Sequence, residues 1–358
     1  MTVRVLVAMS GGVDSSVAAA LLVAGGHEVV GATMKLWGGP SDTGCCSVAD
    51  VDDARRVAQQ LGVAHHVFNF SEEFERHVVD PYVTDHAQSR TPNPCIECNR
   101  HLKFDRLLDR ADQLGFDAVA TGHHARVVQE PGGEWSLRRG SDPAKDQSYV
   151  LHMLGQGQLA RVLFPVGELT KSEVRQRAST LGLRTAAKPD SQDVCFISRR
   201  GGRQAFLGDR IPMRKARVVD MTGAEVGELP AVELVTVGQR RGLGTLGPGD
   251  ESAPGDDGAP SAGRRYVIAV DGPSATVTVG PPAAMMVSEI EVARAVWVGE
   301  PPPADERLHV QMSAHGSPVG ARWSDGTVRV DEPVRRVAPG QSVVLYRGDA
   351  VVGGALAK

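Results

Sequence analysis

Apolar and polar positions in the first 190 residues alternate between two periods. Val3 to Met9 is a short, almost wholly apolar run, as expected of a parallel strand buried on both faces. Val17 to Val23 has the Ala and Leu content of a helix, and Gly25-Gly26 ends it. Glu28 to Met34 and Val63 to Phe70 read as further strands, and Phe116 to Thr121 as a fourth. Between them, Ala54, Val57, Ala58 and Leu61 mark one face of a helix over Asp50 to Leu61. Leu107, Leu108 and Ala111 mark another over Lys103 to Leu114. Repeated βα units predict an α/β fold, a parallel sheet with helices on both faces.

The pattern changes near residue 198, where helical periodicity fades and Gly and Pro become frequent. Val218-Val219, Ala231 to Val237, Arg265 to Val270 and Ala275 to Val279 read as short strands. Gly247 to Gly263, rich in Gly, Pro, Ser and Asp, reads as a mobile loop. From Glu289 onward strands recur at regular spacing: Glu289 to Ala293, Leu308 to Met312, Val319 to Trp323, Thr327 to Val330, Ser342 to Tyr346 and Ala350 to Leu356. That spacing predicts a small β-barrel. The expected organisation is a catalytic α/β domain over 1–198, a small mixed or β central domain over 199–285, and a C-terminal β-barrel domain over 286–358.

Composition adds little until it is read locally. The chain has 358 residues, 41% hydrophobic and 23% charged, as in ordinary globular proteins. No apolar run reaches the about 18 residues of a membrane span, and the first residues lack the pattern of a secretory signal. A cytoplasmic, reducing compartment is therefore expected. The net charge of −4 argues mildly against a nucleic-acid partner. Its distribution argues the other way. Residues 199–217 hold seven basic residues against the single acid Asp209, and residues 161–188 hold six against Glu168 and Glu173. A solvated surface explains such runs equally well.

Candidate chemistry begins at Ala8-Met9-Ser10-Gly11-Gly12-Val13-Asp14-Ser15-Ser16, between a strand and a helix. Glycines permit tight turns whose N–H groups close around phosphate oxygens, and a helix N-terminus adds partial positive charge. The Gly-Lys-Ser/Thr ending of a Walker loop is missing. Ser-Gly-Gly-x-Asp-Ser resembles instead the PP-loop of the N-type ATP pyrophosphatases. Those enzymes cleave ATP between its α- and β-phosphates and leave an adenylated substrate. GMP, asparagine and argininosuccinate synthetases share that loop with several tRNA-modifying enzymes, so it does not name the substrate.

The five cysteines are too few for a disulfide scaffold in a chain of this length. Cys98 follows Thr91-Pro92-Asn93-Pro94, a Pro-braced loop, and Arg90, Arg100 and Lys103 are near in sequence. A helix start and positive charge both favour a thiolate. Cys195 follows Lys188-Pro189-Asp190 in a second polar loop. Two such thiols suit persulfide chemistry, one carrying sulfur and the other resolving the carrier. The competing reading, a small buried hydrophobe, is preferred for Cys45 and Cys46. Cys95-x-x-Cys98 is half of a zinc site, but no second Cys-x-x-Cys exists. Cys95, Cys98 and Cys195 together are also the donor set of an iron–sulfur cluster with one open iron.

The ordered set of motifs closely resembles the tRNA-specific 2-thiouridylase family. It runs from the loop at 9–16 and Met34-Lys35 through Thr91 to Pro94, Cys98-Asn99 and Ala120 to His123. It continues with Lys145 to Tyr149, Leu163 to Gly167, Cys195 to Ile197, Val237 to Gly244 and Pro339 to Gln341, and so covers nearly the whole chain. The resemblance implies a tRNA-uridine 2-sulfurtransferase that uses ATP and Mg²⁺ and thiolates the wobble uridine of tRNAs for Lys, Glu and Gln. A cysteine desulfurase or a sulfur-relay protein would supply persulfide sulfur. ATP would be bound by Ala8, Met9, Ser10, Gly11, Gly12, Val13, Asp14 and Ser15, with Met34 near the adenine and Gly122 closing the pocket. Cys195 would carry the persulfide and Cys98 resolve it, passing through a disulfide. Asn93, Pro94 and Cys95 would meet the target base. His123, Lys145, Asp146, Gln147 and Gln341 would contact tRNA.

Two departures stand out. Many family members have Asp where this chain has Cys95. The family's Arg-Tyr contact pair falls at Ala314-His315. Two rival readings remain open at this point: a PP-loop ligase or amidotransferase partner acting on a small molecule, and a non-catalytic tRNA-binding protein of the same fold.

Overall fold

The computed structural model describes residues 2–37, 47–190, 194–197, 201–243 and 265–358. Cys45, Cys46 and the loop expected at Gly247 to Gly263 lie outside them.

The first sheet contains β1 (Arg4–Ala8), β2 (Glu28–Lys35), β3 (Ala64–Asn69) and β4 (Ala118–Ala120). A hairpin, β5 (Ala125–Gln129) and β6 (Trp135–Arg139), then leaves the sheet, and β7 (Val162–Leu163) returns to it. The order is β3-β2-β1-β4-β7, all pairs parallel. Val5, Val7 and Met9 face one apolar cluster with Val17, Ala18 and Val57, while Leu6 and Ala8 face another with Phe74, Leu102 and Phe104. Alternate residues of β1 thus feed two cores, which is why no polar position follows Arg4 until Ser10. Helix α1 (Val13–Ala24) and helix α2 (Val48–Gln60) cover the first of these faces. A mutual Ser47–Asp50 capping box starts α2.

β1 has β2 on one side and β4 on the other, so the chain switches direction between β1 and β4. In open parallel sheets a crevice forms at such a point, beyond the carboxyl ends of the strands. The glycine loop follows β1 and Gly122 follows β4, so both lie at that crevice.

A second sheet is built from β8 (Ala216–Val219), β9 (Glu225–Leu229), β10 (Tyr266–Asp271) and β11 (Thr276–Gly280), in the order β10-β11-β8-β9. The strand expected over Ala231 to Val237 is corrected. The strand lies earlier, at Glu225–Leu229, and Val232–Leu234 is one tight turn of 3₁₀ helix. Pro230 lacks an N–H and ends the ladder.

The last six strands are β12 (Met286–Trp297), β13 (Arg307–Gln311), β14 (Val319–Ser324), β15 (Thr327–Arg335), β16 (Ser342–Arg347) and β17 (Ala350–Ala357). They run antiparallel, and pairing of β12 with β17 closes them into a barrel around Val292, Leu308, Val310, Val328 and Leu345. The hairpin β5–β6 joins the barrel edge through Ala350 opposite Arg138. This hairpin was missing from the expected elements, although Glu130-Pro131-Gly132-Gly133 between two β-rich runs is a turn signal. Among the described residues no helix is long and apolar enough to cross a membrane.

Candidate active site

The glycine loop owes its shape to close backbone contacts. Gly11 has φ +71°, and a Cβ there would sit 2.3 Å from the Asp50 carbonyl oxygen. Gly12 is extended and caps α1. A Cβ on Gly122 would lie 2.5 Å from the Ser15 amide nitrogen. Glycine at 122 therefore lets the chain after β4 press against the first turn of α1. Within the loop, the Ser15 and Ser16 hydroxyls donate to the Gly12 carbonyl, at 3.2 and 2.7 Å. Ser10 is exposed, whereas Ala8, Met9, Val13, Ser15 and Met34 are buried. Met34, at the carboxyl end of β2, packs in the same cluster as Ala8.

Asp14 projects from the first turn of α1 into a chain of charges. Its carboxylate accepts from Lys171 Nζ at 2.6 and 2.8 Å and from His124 Nε2 at 3.1 Å. Burial works against its charge, but those hydrogen bonds hold its carboxyl below the usual carboxylate range. Lys171 also reaches Asp190 at 2.9 Å, which in turn pairs with Lys145 at 2.8 Å and Arg175 at 2.7 Å. Burial opposes ionisation of Asp190 as well, yet bonds from Lys145 and Lys171 bring it down to about 2. Beside this chain, Lys188 Nζ donates to the Gly11 carbonyl at 3.0 Å, to Asp50 at 2.6 Å and to Asp53 at 2.7 Å. The basic residues of 161–188 are thus largely spent on internal carboxylates. Lys171 and Lys188 were visible in the sequence only as part of a local charge surplus, because their partners Asp14, Asp50 and Asp53 lie more than a hundred residues away.

Cys98 lies on a helical stretch longer than the sequence pattern predicts. The helix starts at Pro94, not at Lys103, and continues to Gln113. Asn93 is the N-cap, its side chain accepting from the Cys95 amide at 3.1 Å, and Pro94 suits the first helical position. Cys98 opens a nine-residue π-type stretch, Cys98–Arg106, a widening that recurs at functional sites. The thiol is 9% exposed and belongs to the cluster of Leu102, Phe104 and Phe196. Cys195 is half-buried and packs against that same cluster. Its neighbour Phe196 is 3% exposed, with ring centroids 5.1 Å from Phe206, 5.3 Å from Tyr82 and 5.7 Å from Phe74. An aromatic anchor therefore fixes the chain next to Cys195. Cys95 is exposed. Among the described residues no three His, Cys, Asp or Glu side chains gather as a metal-holding group.

The residues expected to meet tRNA fall into two sets. His123 is 7% exposed, shares a 2.6 Å hydrogen bond with Thr121 and packs against Phe104 and Phe164. Asp146 accepts from Arg139, Gly140 and Ser148. Gln147 accepts from the His124 amide at 2.9 Å, and the Gln341 amide donates to the Thr91 carbonyl. Asn93, Pro94 and Ala314 are buried or half-buried, and His315 is exposed. In the arginine-rich stretch, Arg203 donates to the Leu234 carbonyl, Arg210 to that of Phe206, and Arg214 to the buried Glu233.

A family model described as the tRNA methyl transferase HUP domain matches residues 3–199, and one described as an aminomethyltransferase β-barrel domain matches residues 287–357. The tRNA-specific 2-thiouridylase MnmA of Chloroflexus aurantiacus is 46% identical over 98% of this chain and 97% of its own length. That of Salinispora arenicola is 47% identical over 99% of both chains. The chain belongs to the tRNA-specific 2-thiouridylase family. The first model's description speaks of methyl transfer, but the relatives matched over nearly full length are named thiouridylases. In this family member the glycine loop, the Lys171–Asp190 charge chain, Cys98 and Cys195 all belong to the first sheet and its flanking segments.

Proposed function

We propose that this chain is an ATP-dependent sulfurtransferase that thiolates C2 of the wobble uridine in tRNA. The observation that supports the reading is that Cys98 and Cys195, almost a hundred residues apart, both border the same extended apolar core, which includes Leu6 and Ala8 of the strand that leads into the glycine loop. A ligase acting on a small molecule would leave that pair and the barrel without a task.

Uracil O2 is a poor leaving group. Attack by O2 on the α-phosphorus of ATP breaks the Pα–O bond to pyrophosphate, N3 gives up its proton, and C2 becomes electrophilic. The loop at 8–15 supplies N–H donors and a helix N-terminus for the phosphates. Mg²⁺ bound with the nucleotide would offset phosphate charge, and Asp14 is the loop's carboxylate that would face it. The terminal sulfur of a Cys195 persulfide then adds at C2, and AMP leaves with the C2–O2 bonding pair. Cys98 thiolate attacks the Cys195 sulfur, the S–S bond to the product sulfur breaks, and 2-thiouridine departs as N3 regains a proton. A Cys98–Cys195 disulfide is left, and an external dithiol returns it to thiols with two electrons.

Persulfide sulfur comes in this reading from a cysteine desulfurase or a relay protein, in the cytoplasm. The tRNAs are those for Lys, Glu and Gln, with Asn93, Pro94 and Cys95 nearest the base. The three units assigned to 1–198, 199–285 and 286–358 divide adenylation from tRNA binding. Incubation with tRNA, ATP and a persulfide donor, followed by separate assays of pyrophosphate and nucleosides, tests the scheme. Pyrophosphate release without sulfur in tRNA would overturn the sulfur-transfer half.

A further inference from the structure

Lys188 stands outside the chemistry just described, yet its ammonium joins three separate parts of the site. It donates to the Gly11 carbonyl at 3.0 Å, and to Asp50 and Asp53 in the first turns of α2 at 2.6 and 2.7 Å. Burial opposes its charge, but the two carboxylates raise its pKa above the ordinary lysine value. The backbone on either side is held as well. Arg175 donates to the Ala186 and Lys188 carbonyls at 2.8 and 3.0 Å and to the Asp190 carboxylate at 2.7 Å. Arg184 pairs with Asp53 at 2.9 Å. Among the described residues that follow, Phe196 is anchored in an aromatic cluster directly after Cys195, five positions beyond Asp190.

The Gly11–Gly12 peptide is trans and planar, so its C=O and N–H point in opposite directions. A carbonyl held by Lys188 therefore turns the Gly12 N–H away from Lys188. The left-handed Gly11 has no Cβ to fix this peptide by sterics, and a glycine peptide flips readily when nothing grips it.

We propose that Lys188 is a positioning residue that sets the Gly11–Gly12 peptide, so that the Gly12 N–H meets the ATP phosphates, and ties that peptide to the chain bearing Cys195. This rests on the reading that the loop at 8–15 takes ATP. Phosphate binding at the loop then alters the presentation of Cys195, and the thiol's reactivity depends on the nucleotide.

The test uses the full-length wild type, K188M and K188R. ATP binding is measured by calorimetric titration, and Cys195 alkylation by iodoacetamide is followed by mass spectrometry with and without a non-hydrolysable ATP analogue. K188M should bind ATP at least tenfold more weakly, with a far-ultraviolet circular dichroism spectrum like that of the wild type. It should also lose the analogue-dependent change in Cys195 alkylation, and K188R should recover most of both. If K188M does not fold, K188Q, which keeps a donor towards the Gly11 carbonyl, should bind ATP at least threefold more weakly. A folded K188M or K188Q with wild-type ATP affinity and wild-type nucleotide dependence overturns the assignment. Absence of ATP binding by the wild type would instead count against the loop's role and leave the proposed function at fault.

Discussion

Cys195 sits between two fixed points, the Asp190 carboxylate in its cage of three cations and the Phe196 ring among aromatics. The proposed division of labour gives this thiol no part in adenylation. Cys195→Ala should therefore abolish tRNA thiolation while leaving tRNA-dependent pyrophosphate release within about threefold of wild type, about 0.7 kcal/mol in barrier. Loss of pyrophosphate release in a folded C195A protein would contradict that division. At this scale the motifs were readable because they are local: Ser-Gly-Gly-x-Asp-Ser and the two cysteine loops each lie within a few residues. Lys171 and Lys188 were not, since what marks them is a carboxylate or carbonyl more than a hundred residues away.

Among the elements, the helix that starts at Pro94 carries the most consequence for the thiols. Its Asn93 cap satisfies one amide and holds the entry to Cys95 and Cys98. Replacing Asn93 by Ala should cost about 1 kcal/mol of stability, readable as a lower denaturation midpoint. An unchanged midpoint would show that the cap is not holding this entry. Gly122→Ala is a sharper case. The added Cβ would meet the Ser15 amide at 2.5 Å and push β4 away from α1. ATP-dependent pyrophosphate release should fall more than tenfold, over about 1.4 kcal/mol, in protein that still folds. The strands and helices of the first sheet were legible because both faces of β1 are buried. The early start of the Pro94 helix was hidden by its polar Cys-Ile-Glu-Cys-Asn-Arg sequence, which shows no apolar stripe until Leu102. The strand at Glu225–Leu229 was missed for a similar reason, since its burial is partial and only Pro230 marks its end.

Across the whole molecule, the β5–β6 hairpin binds the barrel to the first sheet. Asp349, in the β16–β17 turn, accepts from Arg126 and Arg138 at 2.8 and 2.9 Å, and Arg139 lies 3.7 Å over the Tyr346 ring. Tyr149 reaches the Ser342 carbonyl and Thr91 the Pro339 carbonyl, both at 2.8 Å. If the barrel helps to seat tRNA, Asp349→Ala should raise the KM for tRNA several-fold and leave ATP affinity unchanged. A rise in both would mean that the junction serves folding alone. These cross-chain contacts join residues up to about 250 positions apart, so no window of sequence reveals them.

Acid should loosen the whole assembly in two stages. Burial lowers His86 and His152 from 6.5 to about 4, so the unfolded chain binds their protons first and stability falls as pH drops from 6.5 to about 4. Each contributes up to about 3 kcal/mol above that window. Asp190 is depressed instead, so its contribution is present above 3.8 and is lost as pH falls through about 2. Thermal melts should show a lower midpoint at pH 5 than at pH 7, and H152Q should flatten that dependence. A midpoint insensitive to pH between 7 and 4 would contradict the buried neutral state of both histidines.

In the proposed mechanism activation and sulfur delivery converge on one pyrimidine. Mass spectrometry of nucleosides from tRNA incubated with the protein, ATP and a persulfide donor tests it most directly. The expected product is 2-thiouridine at the wobble position, dependent on ATP and on both Cys98 and Cys195. Unmodified tRNA under those conditions, or thiolation that persists without ATP, would contradict it.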